Sequence, residues 1–292
     1  MNVKIKKVIV TWFLSVFLVF SVASGAYAFS SILSFGDSIS DNGFYGDGAN
    51  PPVTNSEDTY GYQRFSDGAV WVEYLAQSYG IPLMDMAYGG ANTTNTYPNL
   101  GYQLDNYTVP ASSSTLVTVL FGANDMSAYF ASVAAGTPDS TYAPQNAAAK
   151  VSAAIQSLAD DGFTNFFVPN LPNIGATVRY HGTPYETAVS TWCQAYNFAL
   201  AAYLGILDTN NPGDNFMTFD TYILITDMYS NPEKYGFAHV NEIFWTDGYH
   251  PSTQTHQLMA YYARQTIPEP ATMLLLCLGL MGLAGVRRKI QK

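Results

Sequence analysis

Basic residues are scarce in this chain and cluster at its ends. Among 292 residues only 12 are Lys or Arg, against 22 Asp or Glu. Lys4, Lys6 and Lys7 lie at the amino end, and Arg287, Arg288, Lys289 and Lys292 at the carboxyl end. Between them Arg64, Lys150, Arg179, Lys234 and Arg264 stand against 21 acids, so residues 29–266 carry a net charge of −16. A field of that sign repels nucleic acid and anionic lipid surfaces, and no nucleic-acid partner is expected. Cysteine is nearly absent as well: Cys193 is the only one in this body, and Cys277 lies in the tail. An internal disulfide is therefore excluded there. The surrounding "STWCQAYNFAL" reads as an amphipathic helix, which makes Cys193 a buried structural thiol rather than a nucleophile. Internal repeats, low-complexity linkers and a phosphate-binding glycine loop are also missing, and no cofactor is expected. The acidic stretch "DSISDNGFYGDG" lacks the EF-hand alternation of oxygen ligands, glycine and closing glutamate, so no metal requirement is expected either.

Both ends read as processing signals. An apolar run from Val8 to Val22 follows the three lysines and leads to Ala26-Tyr27-Ala28, the small-x-small pattern of a secretory signal peptide covering residues 1–28. The run is shorter than the roughly 20 residues that a membrane span needs. At the other end Pro268-Glu269-Pro270, an apolar run from Ala271 to Val286 and the basic trio Arg287, Arg288 and Lys289 occupy residues 267–292. This three-part order resembles the PEP-CTERM sorting signal of Gram-negative bacteria. The resemblance implies export, removal of the tail by an exosortase after signal peptidase has acted at the other end, and no stable membrane span afterwards. A permanent carboxyl-terminal anchor is the alternative reading.

The 238 residues from Phe29 to Thr266 suit a single domain. Short β-type apolar runs recur at Ser31–Phe35, Leu83–Ala87, Thr115–Phe121, Asn165–Pro169 and Asn215–Asp220. Helical spacing marks Val70–Tyr79, Ala143–Asp160, Tyr185–Leu207 and Ser252–Arg264, with Ser252 placed to cap the last. Such alternation predicts an α/β fold: a three-layer α/β/α sandwich, flavodoxin-like, around a parallel sheet of about five strands. Asp41 to Ser66, rich in Gly, Asn, Pro and Asp, reads as a long loop.

Ligands of an open α/β sheet bind beyond the carboxyl ends of its strands. Ser38 follows the first run in "FGDSIS", Gly89 and Gly90 the second in "AYGGAN", and Gly122, Asn124 and Asp125 the third in "LFGANDM". A serine hydroxyl becomes a nucleophile only beside a base. His250 in "WTDGYHPS" stands three residues after Asp247, which can orient its imidazole while the other ring nitrogen faces Ser38. His181, His239 and His256 have no such context. The order Ser, Asp, His is also that of α/β-hydrolases, but Ser40 occupies the place of the second glycine of their Gly-x-Ser-x-Gly elbow.

Gly36-Asp37-Ser38, Gly90, Gly122-x-Asn124-Asp125 and Asp247-x-x-His250 together resemble the ordered blocks of the GDSL, or SGNH, hydrolase superfamily. "FVPNLPNIGATVRYHG" and "FDTYILITDMYSNPEKYGF" are similar to stretches of its longer plant and secreted-bacterial members, and Ile39 replaces the leucine of the family name. The resemblance implies a secreted esterase or lipase with Ser38 as nucleophile, His250 as base and acid, and Asp247 as its orienting partner. It implies an oxyanion hole of the Ser38 N–H, the Gly90 N–H and the Asn124 side-chain amide, with Gly89 a reserve donor. Expected substrates are acyl lipids, aryl esters or acetylated polysaccharides. A noncatalytic surface or matrix polysaccharide-binding module on the same scaffold is the alternative, and a flavodoxin-like cofactor binder a third. Taken singly, Ser38 could cap a helix and the other blocks could be turns. Tyr60, Tyr62, Tyr88, Tyr97, Tyr102 and Tyr107 are expected near the cleft entrance as a platform for acyl chains or sugars.

Overall fold

The computed structural model describes residues 29–43 and 64–268. The signal-peptide and sorting-tail expectations, Tyr60, Tyr62 and most of the Asp41–Ser66 loop lie outside these residues. Phe29–Ile267 forms one compact unit. Five strands, β1 (Ser31–Gly36), β2 (Leu83–Asp85), β3 (Thr115–Leu120), β4 (Asn165–Pro169) and β5 (Asn215–Phe219), make one sheet of order β2-β1-β3-β4-β5. All four pairings are parallel.

Every residue of β3 and β4, and all of β1 after Ser31, is buried. Both faces are covered, which is why these strands read as unbroken apolar runs rather than as alternation. Leu33, Phe35, Val117, Val119, Phe166 and Val168 share one core with α4 (Pro144–Asp160) and α5 (Glu186–Asn210), through Val151, Ile155, Leu158, Val189, Cys193 and Tyr196. The alternate residues turn to the other face. There Trp71, the first residue of α1 (Trp71–Tyr79), lies with its ring 6.1 Å from that of Phe167, and α1 packs on α7 (Thr253–Thr266). Both rings are fully buried, and truncating either to alanine costs ~3–5 kcal/mol.

Local signals set the helix ends. Glu73 reaches back to the Val70 N–H at 2.8 Å and pairs with Arg64 at 2.5 Å, fixing the start of α1. Ser252 caps α7 as expected, its hydroxyl accepting from the Thr255 N–H. Three further helices, α2 (Leu100–Asn106), α3 (Ala123–Ala134) and α6 (Thr221–Ser230), lie in segments whose Gly, Asn, Pro or β-branched residues gave no clear helical period. The second strand ends at Asp85 rather than Ala87. The Asp85 carboxylate takes the N–H groups of Ala87 and Asn42, so the chain turns there.

Candidate active site

Sheet order places the crossover between β1 and β3, where connections leave in opposite directions and a crevice opens. Gly36 is paired in register with Leu120, so Ser38 and Gly122 emerge side by side at the same edge. Gln103 of α2, fully buried, donates to the Gly36 carbonyl at 2.8 Å and accepts its N–H at 3.0 Å. Beyond it a tight turn carries Ser38, closed by the Ser40 and Asp41 N–H groups on the Asp37 carbonyl, each at 3.0 Å.

His250 arrives from across the cleft on the loop before α7. That loop is held by Trp245 N–H donating to the His250 carbonyl at 2.8 Å and by a Phe244–Pro251 bridge. One Asp247 oxygen accepts the Tyr249 and His250 N–H groups at 2.9 and 3.0 Å. Its other oxygen lies 2.5 Å from His250 Nδ1, and His250 Nε2 lies 2.8 Å from Ser38 Oγ. With Nδ1–H donating to Asp247, Nε2 is the acceptor for the Ser38 hydroxyl proton. The structure thus joins Ser38, His250 and Asp247, 212 residues apart at the extremes, in one hydrogen-bonded chain. Half-burial pushes the Asp247 carboxyl up, but the bond to His250, the imidazole charge and the two backbone donors outweigh it and hold the group below the usual carboxylate range.

Residues 32–263 match the GDSL-like lipase/acylhydrolase family. The chain belongs to this family. Residues 266–289 match the PEP-CTERM protein-sorting motif. A thermolabile hemolysin of Vibrio parahaemolyticus is 25% identical, over 79% of this chain and 62% of that one, so the chain spans less than two thirds of that relative. An acetylesterase of Thermothelomyces thermophilus is also 25% identical, over 78% of this chain and 85% of its own. An acetyl xylan esterase of Geobacillus stearothermophilus, 12% identical, superimposes with a TM-score of 0.54 over 83% of this chain and 98% of that one, which shows the GDSL fold.

Within this GDSL frame, the remaining predicted residues divide. The Gly89 N–H donates to Asp41 at 2.7 Å and is therefore spent. Gly90 has φ of +81°, and nothing stands within 4 Å of where its Cβ would be. Asn124, in the first turn of α3, donates from Nδ2 to the Ala91 carbonyl at 2.9 Å and keeps its second amide hydrogen. Gly122 caps α3 at φ +130°, with the Tyr196 ring 3.1 Å from its would-be Cβ, so the turn that presents Asn124 needs glycine there.

Tyr88 and Tyr97 stand beside Gly89-Gly90: their hydroxyls meet at 2.9 Å, and the Tyr97 ring lies 4.9 Å from that of Tyr102. Tyr107 does not join them. It follows α2, packs on Phe35 and Phe163 and bonds Asp161 in the turn before β4. Cys193 is buried, and desolvation pushes its thiol up to about 12, as a structural role requires. His256 is buried too, accepts the Trp71 N–H at 3.3 Å and is pulled down to about 3 by burial.

Sequence reasoning missed several neighbours. Phe65 and Tyr249 flank the His250 ring with centroids 5.0 Å away. Ile39, Ala123, Ile174, Ile225 and Phe244 line an apolar pocket that reaches His250. Asp125 accepts from the Thr93 N–H and hydroxyl, and with Asn124 it ties the chain after Gly90 to α3. Among the described residues no three His, Cys, Asp or Glu side chains come together as a metal site would require. No described helix is long and apolar enough to cross a membrane.

Proposed function

We propose that this GDSL protein is an exported serine esterase that hydrolyses carboxylic esters through an acyl-serine intermediate. The observation that carries the reading is the continuous chain from Ser38 Oγ through His250 to Asp247, at 2.8 and 2.5 Å. Ser38 attacks the ester carbonyl as His250 Nε2 takes its proton, and Asp247 keeps Nδ1 protonated and stabilises the imidazolium. The carbonyl oxygen, now negative, is met by the Ser38 N–H, the Gly90 N–H and the second amide hydrogen of Asn124. His250 then protonates the leaving alcohol. Water enters by the reverse sequence and frees the acid.

Substrate class follows from two supports. An acetylesterase of which 85% is covered favours a short acyl group. The apolar pocket beside His250 supplies a place for an ester's nonpolar part. Acetylated polysaccharide, aryl ester and acyl lipid differ in how far they extend from that pocket. The PEP-CTERM motif at 266–289 supports export through an exosortase, with residues 1–28 as signal peptide and 29–266 as the hydrolase domain.

Hydrolysis of p-nitrophenyl esters from acetate to palmitate, with Ser38→Ala in parallel, tests the reading. Serine-dependent turnover with a preferred chain length is the expected result. Folded protein with no turnover on any ester overturns it.

A further inference from the structure

Gly89 and Gly90 have no side chains to pack, so whatever aims the Gly90 N–H must act through the backbone around it. Two buried carboxylates do so. Asp41 ends the Ser38 turn; its Oδ1 accepts the Gly43 N–H at 2.8 Å and its Oδ2 the Gly89 N–H at 2.7 Å. Asp85, at the end of β2, answers in the other direction with Oδ2 on the Asn42 N–H at 3.0 Å and Oδ1 on the Ala87 N–H at 3.1 Å. The Ser38 turn and the Gly89-Gly90 turn are therefore clasped from both sides. Only the first clasp lands on the residue preceding Gly90.

We propose that Asp41 is a positioning residue of the oxyanion site, holding the Gly89-Gly90 turn against the Ser38 turn so that the Ser38 and Gly90 N–H groups converge on one oxygen. This rests on the reading of Ser38 as nucleophile and Gly90 as donor. Asp41 does not touch the reacting atoms. It acts through Gly89, and a misplaced donor costs rate rather than substrate affinity. Glu73 adds like charge near it and Arg64 opposes that, while the charge of Asp41 in turn raises Asp37 and Asp85. Burial, the largest effect, moves its carboxyl up to about 6, so Asp41 is ionised at neutral pH and titrates just below it.

The test uses the full chain with Asp41→Asn and Asp41→Ala. A fluorophosphonate, which phosphonylates a nucleophilic serine with loss of fluoride, is first applied to the wild type and Ser38→Ala. Ser38-dependent labelling is expected, and its absence overturns the nucleophile reading and this inference with it. Given labelling, kcat on p-nitrophenyl acetate per titrated Ser38 should fall ~10–100-fold in both variants, with KM within about twofold. The phosphonylation rate should fall in parallel. A kcat within twofold of wild type, or a loss carried by KM, overturns the proposal while leaving Ser38 in place. Asp41→Glu, which keeps the carboxylate but lengthens its reach, decides the matter if neither variant folds: a kcat per titrated Ser38 within twofold of wild type overturns the proposal, and a fall at unchanged KM supports it.

Discussion

The two walls of the cleft are built by different means. On the nucleophile side the sheet itself sets the position: Gly36 is still in register with Leu120, and the turn carrying Ser38 starts one residue later. Its acids, Asp37, Asp41, Asp85 and Asp125, are all buried, and burial raises each above the usual carboxylate range. On the base side a loop delivers His250, and Asp247 keeps 22% of its side chain in solvent, with its carboxyl held low. The same residue type thus serves two ends. Buried aspartates take backbone N–H groups and hold the scaffold. Asp247, beside an imidazole, is tuned to stay charged.

Substitutions across the cleft should break this comparison unequally. Removing the nucleophile with Ser38→Ala should lower kcat on the order of 10⁶-fold, read by p-nitrophenyl acetate turnover with unchanged circular dichroism. Asp247→Asn keeps the shape of the loop but loses the charge and the fixed tautomer, so a fall of ~10⁴-fold is expected. Retention of a tenth of the activity there would mean that backbone packing alone orients His250. Asn124→Ala removes one oxyanion donor and should cost ~10²–10³-fold in kcat, again with little change in KM. Should KM carry that loss instead, Asn124 binds ground-state substrate and is not an oxyanion donor.

Much of the scaffold and the reacting chain could be read from residues, and the reasons are physical. Buried parallel strands betray themselves as apolar runs, and the residues just past them must face the crevice, which located Ser38, Gly90 and Asn124 together. Asp247 and His250 were legible because three residues of loop suffice to bring one carboxylate onto one ring nitrogen. What stayed hidden was long-range or irregular. Gln103 meets Gly36 across 67 residues from a helix whose sequence, "LGYQLDN", shows no clear period. Asp41 sat in a stretch notable in sequence only for lacking the EF-hand pattern, and its partners are backbone N–H groups, which sequence does not mark. Tyr107 was grouped with the cleft tyrosines by proximity along the chain, but it follows α2 and is tied instead to Phe163 and Asp161 before β4.

The smallest expected effect concerns stability, and it tests the division between the walls directly. Asp37, fully buried with one oxygen lacking a partner, titrates near 7, and Asp41 near 6. Between about 4 and those values the native chain keeps protons that the unfolded chain has released, so stability falls as pH rises through this window. For Asp37 the span is worth at most ~4 kcal/mol. Asp247 works with the opposite sign and elsewhere. Its stabilisation is complete above the ordinary carboxylate value and is lost only as pH falls through its lower native one. Melting should therefore occur several degrees higher at pH 5.5 than at pH 8, about 2–4 °C for each kcal/mol in a chain of this size. Self-repulsion of the acidic body pushes the same way, and Asp37→Asn separates the two because it removes one buried titration and only one charge of the total. A flatter dependence in Asp37→Asn, beside an unchanged one in Asp247→Asn, places the pH response on the nucleophile wall. If Asp247→Asn were the variant that flattened it, the buried aspartates would be charged in the native state, and the contrast between scaffold and reacting carboxylates would fail.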